Sequence, residues 1–112
     1  MDNILDIVER TRTDFDQKNV NIRDLSRLYQ AFNPVPNIDM FVLEALKMFP
    51  ELNCGLATVY LQSKLGGEII KGKYQERYHT FLMLGDQIVD ITADQYGGPR
   101  IYVGPLQAPW SR

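Results

Sequence analysis

The chain has 112 residues, 45 % of them hydrophobic and 23 % charged, which suits a single domain spanning 1–112 with one packed core and argues against a disordered chain. A formal net charge of -2 supplies no positive field for nucleic acid, and no apolar run approaches the length of a membrane span, so neither partner is expected. One cysteine excludes an intrachain disulfide and fits a reducing compartment.

The opening stretch, MDNILDIVER, has no basic segment followed by an apolar run and does not read as a signal peptide. A cytoplasmic location is the expectation, with non-classical secretion as an effector the other route. Ile4, Leu5, Val8 and Thr11 form a helical stripe that Asp2 or Asn3 can cap. A second helix follows, with Ile22, Leu25, Leu28, Tyr29 and Phe32 on one side, and NPVPN ends it because proline removes a donor and restricts the residue before it. A third helix is predicted over residues 38–48, with Met40, Phe41, Leu43, Leu46 and Met48 available for burial and Pro50 as the stop. These segments make residues 1–50 a helical lead-in.

The fourth helix is predicted to start near Cys54, carry Leu56, Val59, Tyr60 and Leu65 as its stripe, and end at Gly66–Gly67. From Glu68 onward the pattern changes. EIIKGKY, RYHTFLML, QIVDI and RIYVG are short, rich in β-branched and aromatic residues, and separated by turn signals, with LGDQI as a tight hairpin. The expected class is α+β, with the N-terminal helices and the Cys54 helix packed on a small antiparallel sheet.

Three residues suggest chemistry. Cys54 at a helix N-terminus is where free backbone N–H groups and the helix dipole favour a thiolate. Gly55 beside it leaves room for close approach. His79 and Asp90 lie on successive strands of one hairpin, close enough for a cross-strand or diagonal contact. A carboxylate on one imidazole nitrogen leaves the other free to take a thiol proton, which is what a Cys-His-Asp nucleophilic site requires. Each residue also has a plainer reading: Cys54 as a small buried hydrophobe, His79 as a structural strand residue, Asp90 as a turn former. Asn53 or Gln95 could donate to an oxyanion, as could the backbone N–H of Cys54. Asp94 is a rival orienting acid, and Tyr96 and Tyr102 could line a substrate groove. Trp110 reads as packing that holds down the tail. No metal site is expected, because one Cys and one His lack the usual close ligand pairs.

The stretches NCGLATVYLQSKL and YHTFLMLGDQIVDITADQYG, within residues 51–104, resemble the papain-like and transglutaminase-like cysteine-catalysis superfamily, which includes small bacterial members. The resemblance implies a fold with the nucleophile opening a central helix and His and Asp on successive strands. It assigns Cys54 as nucleophile, His79 as base and Asp90 as orienting acid, with no cofactor. The implied activity is hydrolysis or transfer at an amide or acyl bond through a thioester, on a peptide, protein or small amide, as in peptidases, amidases and deamidases. The alternative is a catalytically silent binding or protein-interaction domain of the same fold. The substrate and the oligomeric state are not written in the sequence.

Overall fold

A computed structural model describes residues 3–112. The first stripe forms α1 (Ile4–Asp16), and the Asn3 side chain accepts the Asp6 N–H to cap it. Asp2, the other cap candidate, lies outside the described residues. Asn21 caps α2 (Ile22–Phe32) in the same way, accepting the Asp24 N–H. Two further helices follow, α3 (Ile38–Lys47) and α4 (Cys54–Leu65). The strands are β1 (Glu68–Tyr74), β2 (Arg77–Leu84), β3 (Gln87–Asp90), β4 (Tyr102–Pro105) and β5 (Trp110–Ser111), with a 3-10 turn over Ala93–Tyr96.

The sheet is antiparallel with strand order β4-β3-β2-β1-β5. The β2–β3 hairpin turns at Leu84↔Gln87, and Gly85 takes a φ of 62° there, which glycine adopts without a Cβ penalty. The short β5 was absent from the sequence expectation. It closes the far edge by pairing Tyr74 with Trp110.

Strand alternation gives the sheet two buried faces. One carries Leu82, Val89 and the adjoining Ile91, and packs with the helices against Val8, Phe15, Leu25, Val42, Leu56 and Leu61. The other gathers Ile70, Tyr74, Phe81, Ile88, Ala93 and Trp110. Three expected core positions are corrected: Met40, Leu43 and Met48 are 59 %, 44 % and 50 % exposed. Val42, Ala45 and Leu46 form the buried face of α3 instead, which turns Met40, Leu43 and Met48 outward.

The architecture also corrects the fold that the resemblance implied. Four helices pack against a five-stranded antiparallel sheet that curls into a half-barrel, and this is not a papain-type or transglutaminase-type sheet. The β5 pairing and the second buried face account for the curl: the sheet wraps an aromatic cluster of its own on the side away from the helices.

Candidate functional site

Cys54 is the first residue of α4 and is half-buried. It opens into a cleft of about 400 Å³ whose walls include Tyr29 and Phe32 from α2, Gly55, Lys71, Gln95 and Tyr96. Gly55 is needed for the shape of this cleft, since a Cβ there would lie 2.9 Å from the Tyr29 ring. Lys71 extends over the Phe32 ring with its ammonium 4.8 Å from the centroid. Thr58, one turn into α4, donates its hydroxyl back to the Cys54 carbonyl at 2.6 Å and also reaches the Thr80 carbonyl at 3.3 Å, tying α4 to β2.

His79 and Asp90 meet on the side of the sheet that carries Phe81 and Ile88. His79 shares its side of β2 with Phe81, and Asp90 shares its side of β3 with Ile88, so both side chains join the aromatic cluster. His79 Nε2 lies 2.7 Å from Asp90 Oδ2, with both side chains fully buried. The same oxygen accepts the Trp110 indole N–H at 2.7 Å. The second oxygen, Oδ1, accepts the Thr92 backbone N–H at 2.9 Å and the Thr92 hydroxyl at 3.3 Å. The Tyr74, Tyr96 and Phe81 rings surround the imidazole, with centroids 6.1, 5.4 and 6.3 Å away.

This arrangement overturns the Cys-His-Asp triad. No ion pair or hydrogen bond joins Cys54 to His79 or Asp90; those two pair with each other. The His79 Nδ1, which a triad needs at the thiol, is buried without a hydrogen-bond partner among the described residues. Asp90 is the hub of a closed network with Trp110 and Thr92, a structural assignment for the carboxylate.

Electrostatics still connect His79 with Cys54. Burial pulls the His79 imidazole down, but the Asp90 carboxylate and then Cys54 push it up more strongly, to about 9. Burial pushes the Cys54 thiol up, and the neighbouring His79 ring and the Thr80 backbone outweigh it, leaving the thiol below its ordinary value. Burial and then the charge at Cys54 raise the Tyr96 hydroxyl.

The remaining candidates divide. Asn53 is fully buried and donates its amide to the Ala45 carbonyl at 2.8 Å and the Glu51 carbonyl at 2.7 Å, so it fastens the end of α3 to the start of α4 rather than facing an oxyanion. Gln95 lines the Cys54 cleft, with its amide donating to the Thr92 carbonyl at 3.0 Å. Asp94 cannot orient His79, because Arg12 holds both its oxygens, at 2.9 and 2.8 Å. Tyr96 lines the cleft, whereas Tyr102 stacks on Trp110 at 4.1 Å in the aromatic cluster and donates to the Pro105 carbonyl. Among the described residues no cluster of three or more His, Cys, Asp and Glu could hold a metal ion, and no helix is long and apolar enough to cross a membrane.

Sequence reasoning missed Arg12 and undervalued Trp110. Arg12 is 5 % exposed on the buried face of α1, where it also donates to the Ile91 carbonyl at 2.8 Å. Its position between Val8 and Phe15 in the helical stripe was the available signal. For Trp110 the signal was the indole N–H itself, which needs an acceptor when buried.

Comparison with curated proteins and with solved structures returned no match. The family comparison did, and it replaces the papain-like and transglutaminase-like resemblance along with the peptidase, amidase and deamidase activities attached to it. A family model described as YunG protein matches residues 50–109, which cover α4, β1 to β4 and the His79, Asp90 and Thr92 members of the buried network; with more than half of its length matched, the chain belongs to the YunG protein family.

Proposed function

We propose that the protein is a non-catalytic binding domain and that the cleft beside Cys54 receives a soluble peptide or protein ligand. The observation that carries this reading is the closed His79–Asp90–Trp110 network, whose imidazole makes no hydrogen bond to the thiol, beside an aromatic-walled cavity of about 400 Å³. The cavity supplies what recognition of a side chain needs: apolar and aromatic walls with a few placed polar groups. Tyr29, Phe32 and Tyr96 give stacking surface, while Lys71 and Gln95 offer donors at the rim. Leu52, 70 % exposed and also lining the cleft, extends the apolar surface outward.

The test is selection of binders from a displayed peptide library, followed by amide chemical-shift mapping on the labelled chain. Shifts should centre on Gly55, Lys71, Gln95 and Tyr96. Gly55→Val should abolish binding by pushing a side chain against Tyr29. Binders that map elsewhere would remove the cleft from the proposal. Release of amine or ammonia from the same peptides by the native chain, lost in Cys54→Ala, would remove the non-catalytic reading.

A further inference from the structure

We propose that Cys54 is a redox-modification site, at which a peroxide entering the cleft converts the thiolate to a sulfenic acid. The proposal goes beyond ligand binding and does not depend on it. Two independent observations carry it. Cys54 is half-buried at the N-terminus of the twelve-residue α4 and lines an open cleft of about 400 Å³, so a small oxidant can reach the sulfur. Behind that cleft, 5.4 Å centroid to centroid from the Tyr96 ring that lines it, lies a fully buried imidazole whose Nδ1 has no hydrogen-bond partner among the described residues. Asp90 occupies Nε2, so the ring edge that acts on Cys54 is the one bearing Nδ1. A buried donor without an acceptor is costly, and a negative sulfur beside it relieves that cost.

The other polar and charged groups around the pair are Asp90 from β3, Thr80 from β2, Tyr74 and Lys71 from β1, Tyr29 and Asn33 at α2, and Gln95 and Tyr96, with Arg77 over the outer face of the Tyr96 ring. Asp90 is already matched to His79 and Trp110, which leaves the imidazolium and Lys71 as the positive charges on the thiol side. In the reaction a sulfur electron pair forms the S–O bond, the O–O bond breaks, and the departing hydroxide is protonated by solvent. Sulfur is oxidised and the peroxide is reduced to water. The chain has no second cysteine, so the sulfenic acid cannot close an internal disulfide; an external thiol captures it, or further peroxide oxidises it to the sulfinic acid.

The experiment treats the full chain with hydrogen peroxide at neutral pH, traps with dimedone and reads intact mass against free cysteine. The expected result is one adduct, on Cys54, forming at least about fivefold faster than on free cysteine. A rate no higher than that of free cysteine overturns the proposal. His79→Gln, confirmed folded by circular dichroism, should slow the reaction at least about fivefold; an unchanged rate in that folded variant also overturns it. If the variant does not fold, ultraviolet titration of the native thiolate decides: a midpoint below 9.0 supports the site, and one at or above 9.0 rejects it.

Discussion

The two faces of the sheet are stabilised in different ways. The helix side is a broad apolar core in which Val8, Leu25, Val42, Leu56, Leu61 and Leu82 each contribute a share of burial. The opposite side is smaller and aromatic, and at its centre stands a buried carboxylate that serves His79, Trp110 and Thr92 together. On the first face the loss of a residue opens one cavity. On the second the loss of Asp90 strands several donors at once. Burial distributed over many contacts is tolerant of change, whereas a polar hub is not.

Two substitutions can break this contrast. Asp90→Ala should have the larger effect, about 4 kcal/mol, because it leaves the His79 ring and the Trp110 indole N–H buried without their acceptor. That is comparable with the whole stability of a small domain, so the variant is expected to be substantially unfolded under native conditions. Leu61→Ala, at a residue 1 % exposed in the helix-side core, should cost about 3 kcal/mol through lost burial and a residual cavity. Chemical denaturation of both variants checks the order. If Leu61→Ala proves the more damaging, Asp90 is not the hub described above.

The same contrast explains what the sequence disclosed. Helical stripes located α1 to α4, and β-branched runs with turn residues located β1 to β4, because these patterns are local consequences of burying one face. The burial face of α3 is legible only in part: Leu46 packs as expected, but Met40, Leu43 and Met48 fit a loose apolar count while Val42 and Ala45 do the rest of the packing. Proximity of His79 and Asp90 was also legible, from hairpin register and strand period alone. What the thiol does was not. Whether a strand residue hydrogen-bonds across to a helix or joins a cluster on the far face depends on which side of the sheet the helix covers. Trp110, which completes the buried cluster around Asp90, sits on the two-residue β5 near the end of the sequence and carries no periodic signal of its own. Arg12 escaped for a related reason: its partners Ile91 and Asp94 lie some eighty residues away in sequence.

The smallest effect, and the one that sharpens the comparison most, is the dependence of stability on pH. His79 is raised from 6.5 to about 9 in the folded chain, so its contribution is complete below 6.5 and is lost as pH rises through about 9. Cys54 acts in the opposite sense. Its folded value lies below the ordinary 9.0, so its contribution is complete above 9.0 and is lost as pH falls through the folded value. Where the two slopes overlap they oppose each other, so the native chain should lose less stability between pH 6.5 and 9 than His79 alone would give. Cys54→Ser removes the rising limb. The falling limb survives, because Asp90 is the larger of the two charges that raise His79. The variant should therefore lose stability more steeply than the native chain across the same interval, while the two converge at the acid end. Denaturant midpoints measured at several pH values for both proteins test this. Parallel curves would mean that the thiol and the imidazole do not influence each other, and that the polar hub of the aromatic side is electrostatically separate from the Cys54 cleft.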